Sequence, residues 1–176
     1  TSFYRNVIFC YHIEVNFVKT TGMIIEYNPL HCGHLYLVEE VRSQLGQDTA
    51  VIGVMSGDFV QRGDFAIVRR QARAKAAVES GVDLVLELPL PWATGSAERF
   101  ADGGIRILEA TGVVDHLAFG SECGDAAVLQ RVAAVLCSDE FSQVLKEKLA
   151  EGVSFASARQ RAVDCLTDSE AAAVLE

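Results

Sequence analysis

No uncharged apolar run in this chain approaches the roughly 20 residues that a membrane-crossing helix needs. Its most apolar stretches are broken by Asp83, Glu87 and Asp115, so a soluble protein is expected. Paired cysteine spacing is also missing. The five residues Cys10, Cys32, Cys123, Cys137 and Cys165 form an odd set with no Cys-x-x-Cys spacing. No signal peptide precedes them, which points to reduced thiols in the cytoplasm. Basic residues are short as well: 15 Lys and Arg against 24 Asp and Glu leave a net charge of -9. A polyanion is normally met by a basic surface that releases counterions, so this chain alone is expected to bind nucleic acid poorly. The bases it has are uneven. Arg62, Arg69, Arg70, Arg73 and Lys75 lie close together while acids crowd the C-terminal third, which leaves room for a local anion site.

What remains is the material of one α/β domain. With 176 residues, half of them apolar, the chain can bury one good core but hardly two. Residues 1–21 are rich in aromatic and β-branched types. His12, Glu14 and Asn16 interrupt them too often for a signal h-region, so they read as an appendage, a translated leader or an extra edge strand. From Gly22 the pattern is regular. The run MIIEY suits a buried parallel strand, the turn NPLHCG follows, and a helix is predicted from His34 to Leu45, stopping at Gly46. A second strand is predicted over Thr49 to Met55, then a glycine-punctuated loop and a helix from Arg70 to Ser80. The third strand, Val82 to Leu88, is read as ended by Pro89 and Pro91, and a helix from Ser96 to Ala110 closes at Gly112. A fourth strand runs from Val113 into Gly120. Beyond Asp125 only helices are predicted: Ala126 to Leu136, Phe141 to Ala150 and Ala156 to Cys165.

Four strands alternating with helices predict an α/β fold with a doubly wound parallel sheet, Rossmann-like, followed by a helical C-terminal part. In such a sheet ligands sit outside the carboxyl ends of the strands. The first strand-to-helix turn carries His31-Cys32-Gly33-His34, two imidazoles three residues apart at a helix opening. Gly33 admits a bulky anion close to the backbone, the helix N-terminus favours negative charge, and imidazole donors can stabilise charge developing on a phosphate. The candidate catalytic residues are therefore His31 and His34, in a site shaped for phosphoryl transfer. Other readings of the same residues carry less. Cys32 as a nucleophile lacks a nameable third orienting residue. Zinc on Cys10, His12, Cys32 and His34 would need Cys-x-His spacings shorter than structural zinc uses. Glu26 and Glu122, near strand ends, could help hold Mg²⁺ with a bound phosphate group or could be solvated or capping groups.

The His-x-Gly-His turn after a first strand resembles the signature of the nucleotidyltransferase superfamily. The segments EYNPLHCGHLYLVE, VMSGDFVQRGDFAIV, ARAKAAVESGVDLVLELP, SAERFADGGIRIL and HLAFGSE, in that order, resemble more narrowly the tRNA(Met) cytidine acetate ligase family. The resemblance implies an enzyme, a ligase that uses ATP, with Mg²⁺, and acetate to form acetyl-adenylate. The acetyl group then passes to N4 of the wobble cytidine of elongator tRNA(Met). It also implies an ATP-binding stretch over Ile24, Ile25, Glu26, Tyr27, Asn28, Pro29, Leu30, His31, Cys32, Gly33, His34, Leu35, Tyr36 and Leu37, with a further contact at Gly120. Ser56, Gly57, Gln61, Arg62, Arg73 and Lys75 match family positions without an assigned role, Arg62 and Lys75 being either anion contacts or surface charges. Leu30, Cys32 and Phe65 stand where the family has phenylalanine, asparagine and proline. The family's later ATP-contacting asparagine and arginine and most of its tRNA-binding region would lie beyond Glu176. The expected organisation is thus an appendage over 1–21, a nucleotidyltransferase-like core over 22–124 and, over 125–176, a helical start of the next region. A small-molecule adenylyltransferase and a catalytically silent nucleotide-binding module are the competing functions, the acidic balance favouring the former.

Overall fold

The computed structural model describes residues 6–10, 18–121 and 123–173, with the backbone alone at 6–10 and 169–170. The chain divides into two compact units, Asn6–Gly120 and a helical unit from Ser121 on.

The first unit is a five-stranded sheet. Its strands are β1 (Asn6–Cys10), β2 (Thr20–Ile25), β3 (Ala50–Ser56), β4 (Leu84–Leu88) and β5 (His116–Gly120), in the order β1-β5-β2-β3-β4. β5, β2, β3 and β4 are parallel, and β1 adds an antiparallel edge along β5. The helices that cross between parallel strands are α1 (Cys32–Leu45), α2 (Arg70–Glu79) and α4 (Ala97–Thr111), with a short α3 (Leu90–Ala93) after β4. Alternation along the strands sorts the core onto two faces. Met23, Ile25, Val51 and Met55 pack with Val38 and Val41 of α1 and Ala77 of α2. Ile52, Val54 and Leu88 pack with Leu108 of α4 and Ala93 of α3, and the half-buried Ile24 joins them. Helices on both faces make this a doubly wound α/β sheet.

Small residues let α4 lie close on that second face. A Cβ added at Gly104 would stand 2.6 Å from Ile24 Cδ1, and one at Gly103 would overlap Trp92. Ser96 caps α4 by accepting from Arg99 N–H, and Gly112, at φ +67, ends it in the left-handed region that glycine adopts without cost.

Several strand boundaries differ from the sequence reading for local reasons. β4 begins at Leu84 rather than Val82, because the Val82 N–H is taken by Ala77 O at the end of α2. β5 begins at His116 rather than Val113, with Asp115 bracing the preceding turn by accepting from Thr20 N–H at 2.8 Å. The helix α3 stands where the sequence pattern shows only a strand stop at Pro89 and Pro91: Pro89 is its N-cap and Pro91 lies in the first turn, where a missing N–H costs nothing.

The helical unit contains α5 (Ala126–Leu136), α6 (Asp139–Ala150), α7 (Phe155–Leu166) and the short α8 (Ser169–Ala172). Asp125, Ser138 and Ser154 cap the first three. Phe141, Ala162, Val163 and Ala172 form its main buried cluster. No helix among the described residues is long and apolar enough to cross a membrane.

Candidate functional site

Strand order defines where a ligand can enter. The chain moves outward from β2 to β3 to β4, then returns to place β5 on the other side of β2, so the switch point lies between β2 and β5. The ladder between these two strands is short. β2 pairs with β3 up to Ile25↔Met55, whereas β2 pairs with β5 only at Thr21↔His116 and Gly22↔Leu117. The carboxyl halves of β2 and β5 are therefore unpaired with each other, and the sheet opens as it approaches its carboxyl edge. Gly120 ends β5 there, with nothing within 4 Å of where a Cβ would stand.

The His31 to His34 turn occupies the other side of that opening. His31 is the N-cap of α1, in an extended conformation, and His34 is its third helical residue. The Gly33 N–H donates to His31 Nδ1 at 3.2 Å, and the His31 N–H donates to His34 Nδ1 at 3.2 Å. This is a capping box built from imidazoles in place of the usual hydroxyl and carboxylate. The two rings stack, with centroids 3.6 Å apart and planes at 24°. Because each Nδ1 accepts a hydrogen bond, each neutral ring carries its proton on Nε2. Burial, and then the neighbouring His31, pull the His34 pKa down to about 4, so this ring is neutral at pH 7. The turn thus offers imidazole Nε2–H donors. It also offers the Cys32 N–H, a first-turn amide with no partner among the described residues, at the positive end of a 14-residue helix with no acid in its first turn.

The rest of the sequence-predicted stretch is spread between core and rim. Ile25 and Tyr27 are buried, and Leu30 and Leu37 are partly buried against the same core. Ile24 packs under Gly104. The Glu26 carboxylate accepts from Gln61 N–H at 2.9 Å and from Ser56 Oγ at 3.5 Å. Asn28, joined to Pro29 by a cis peptide bond, accepts on Oδ1 from Ile67 N–H at 2.7 Å. Pro29, Cys32 and Tyr36 are exposed, and Gly33 and Leu35 half-buried. The structure brings His31, Cys32, Gly33 and His34 together at the carboxyl edge, with Gly120 at the end of the neighbouring strand.

Residues without a role in the sequence reading acquire distinct places. Arg73 is buried on α2, and its guanidinium donates to the carbonyls of Val68 (3.0 Å), Glu26 (2.5 Å), Ser56 (3.0 Å) and Gly57, and to Ser56 Oγ at 3.4 Å. It ties the ends of β2 and β3 to the loop between β3 and α2. Desolvation lowers its pKa against the opposing pull of Glu26 and Asp58. Lys75 is an exposed helix charge paired with Glu79 at 3.6 Å. Arg62 is exposed, at φ +68 in a one-turn 3-10 segment, Gln61–Gly63. Arg70, on α2, pairs with Glu87 at 2.7 Å and Asp58 at 3.6 Å. Glu122 and His12 lie outside the described residues. Among those described, no group of three or more His, Cys, Asp or Glu side chains could hold a metal ion.

An open parallel sheet with a helix N-terminus and paired imidazoles at its switch point defines a nucleotide-binding α/β protein. The chain belongs to the HIGH nucleotidyl transferase family, whose model matches residues 18–175. It is 48% identical over 148 residues to the tRNA(Met) cytidine acetate ligase of Acetivibrio thermocellus, covering 83% of this chain and 35% of that protein. It is 46% identical over 155 residues to the enzyme of the same name from Caldanaerobacter subterraneus, covering 87% of this chain and 38% of the relative. Among solved structures it resembles Thermotoga maritima TmcAL bound with alpha-thio ATP, with a TM-score of 0.76 at 46% identity over 82% of this chain and 35% of that one. The chain spans about a third of the length of the relatives it matches.

Proposed function

We propose that this chain carries the ATP site of a tRNA(Met) cytidine acetate ligase. In the reaction, an acetate oxygen attacks the α-phosphorus of ATP, pyrophosphate leaves, and acetyl-adenylate forms. The acetyl group then passes to N4 of the wobble cytidine of elongator tRNA(Met), with AMP as the leaving group. The observation that carries the reading is the opening between β2 and β5 with the His31 to His34 capping box on its rim. Identity of 46–48% to ligases of this name, and likeness to a structure holding an ATP analogue, support the substrate assignment.

Each candidate has a separable task. The Cys32 N–H and the positive end of α1 would attract the phosphates, while Nε2–H of His31 and His34 would donate to the α-phosphate as its charge builds. Gly120 and the unpaired ends of β2 and β5 leave space for the nucleoside. Magnesium ions usually take one or two carboxylates together with substrate phosphates. The Glu26 carboxylate, which already accepts from Gln61 N–H and Ser56 Oγ, would have to share those bonds to help hold the ion beside the phosphates. Location in the cytoplasm follows from the proposed tRNA substrate.

Pyrophosphate exchange with ATP and acetate, run beside propionate and butyrate, tests the reading on this chain and on a protein of the relatives' full length. Acetate-dependent exchange is expected. Exchange that depends instead on another acid would make this a small-molecule adenylyltransferase, and ATP binding without exchange in either protein would make it a silent nucleotide-binding module.

A further inference from the structure

Tyr27 sits at the junction of β2 and the histidine turn, with features that a plain core residue does not need. Its backbone is at φ +46, a left-handed conformation that an aromatic residue rarely adopts. Its side chain is 2% exposed, and its hydroxyl is buried without a hydrogen-bond partner. Burial pushes the phenol up to about 12, so it stays protonated at pH 7. A strained backbone and an orphaned hydroxyl persist only where the surroundings over-determine them. Both neighbours are pinned here: the Glu26 carbonyl accepts from Arg73 at 2.5 Å, its carboxylate from Gln61 N–H, and Asn28 Oδ1 from Ile67 N–H. What this conformation delivers is the ring itself, placed 4.5 Å from the His34 imidazole at 38°. His34 in turn lies 3.6 Å from His31, giving a run of three rings from the core to the rim.

We propose that Tyr27 is a positioning residue for His34: its ring, set by the left-handed backbone at the end of β2, holds the imidazole against His31 with Nδ1 on the His31 amide, leaving Nε2–H for the ligand. The buried ring touches no ligand itself and acts through His34. The proposal deepens the functional reading above and rests on it for the reaction alone. The hydrogen bond it protects can be measured without any turnover.

The test is amide hydrogen exchange by NMR on the whole chain, read at His31 N–H and normalised to Val54 N–H in the core of β3. In Tyr27→Leu, the His31 amide is expected to exchange at least tenfold faster relative to Val54, because the imidazole that accepts from it is no longer held. Tyr27→Phe keeps the ring and removes the orphaned hydroxyl, so its normalised His31 exchange is expected to stay within twofold. Should Tyr27→Leu fail to fold, Tyr27→Met, whose longer and more flexible side chain adapts better to the vacated space, carries the same readout. Equal acceleration at His31 and Val54 would show Tyr27 to be core packing only and overturn the proposal. A tenfold effect in Tyr27→Phe would overturn it too, by assigning the role to the hydroxyl. In a protein active in pyrophosphate exchange, Tyr27→Leu should lower kcat at least tenfold with KM for ATP within threefold. If no protein shows exchange with any acid, the functional reading fails while the amide result still decides this proposal.

Discussion

Replacing Arg73 with methionine keeps most of the length of the side chain and removes every donor it brings to the interior. The guanidinium is 2% exposed and reaches four backbone carbonyls and one hydroxyl, all of them neutral acceptors. Two effects oppose each other. Deleting a buried cation recovers a desolvation penalty of several kcal/mol, while each hydrogen bond from a charged donor contributes roughly 1.5–3 kcal/mol, and each carbonyl left buried without a partner costs about 1–3 kcal/mol. Four carbonyls outnumber one cation, so the loss wins. The balance is about 3–5 kcal/mol of destabilisation, from four carbonyls left without a partner at about 1–3 kcal/mol each less the desolvation penalty recovered. With a urea slope on the order of 2 kcal/mol/M, the unfolding midpoint should fall by about 2 M. Trp92, the single tryptophan of the chain, lies in the sheet unit and makes its fluorescence a probe of that unit. Arg73→Lys keeps the charge but cannot span four carbonyls with a single ammonium, so it should lose at least half as much. A midpoint within about 0.5 M of the unmodified chain for Arg73→Met would refute the clamp, since that shift amounts to only about 1 kcal/mol.

At Gly104 two effects again compete: alanine raises helix propensity by about 1 kcal/mol, but its Cβ would stand 2.6 Å from Ile24 Cδ1 beneath α4, an overpacking that costs about 1–3 kcal/mol. Gly104→Ala should therefore lower the urea midpoint slightly, and a clear rise would show that the helix can lift off β2 freely. The depressed pKa of His34 gives a pH dependence of fixed sign. The folded state holds this proton less tightly than the unfolded state, so the contribution is fully present above 6.5 and is lost as pH falls from 6.5 through about 4. Its size is on the order of 1 kcal/mol after discounting for solvent at a half-exposed ring; comparing urea midpoints at pH 7 and pH 4.5 should show a smaller loss in His34→Gln than in the unmodified chain, and equal losses would refute it. His34→Ala, in a protein active in adenylation, should slow single-turnover acetyl-adenylate formation on the order of 10² to 10³-fold with a smaller change in ATP affinity. A rate within twofold of the unmodified enzyme would make the histidine structural. At physiological salt the chain alone should bind tRNA weakly because of its net charge of -9, and tight, salt-resistant retardation in a gel would contradict that expectation.

The alternation of strands and helices was legible because glycine, proline and apolar runs agree at nearly every joint, and the histidine turn was legible because its residues fall together at one joint. Other features depend on information that periodicity does not carry. The opening between β2 and β5 depends on where a ladder between distant strands stops. Histidines as both members of a capping box do not match the serine-and-glutamate pattern by which such boxes are found in sequence. Arg73 was hidden by its type, since an arginine on a helix is ordinarily a surface charge, and the carbonyls that receive it come from positions as far as Glu26. Pro91 looks like a breaker in the sequence because nothing local shows that a helix starts one residue earlier.

These placements bear on how an acidic protein could hold a polyphosphate. Cations near the carboxyl edge are mostly committed elsewhere: Arg73 is buried under carbonyls, Arg70 is shared between Glu87 and Asp58, and Lys75 is paired with Glu79 on the outer face of α2. A site built on free lysines would have to overcome the surrounding acids with charges that could equally pair with them. The turn at α1 uses groups that cannot be neutralised in this way. An amide N–H and a helix dipole are fixed partial charges, and an imidazole whose Nδ1 is already bonded to the backbone can offer only its Nε2–H. Keeping His34 neutral has a further consequence for chemistry. In the proposed site a neutral donor would add no full positive charge to the bound ground state, so its contribution would grow as negative charge builds on the α-phosphate, weighting the interaction toward the transition state rather than toward ATP itself.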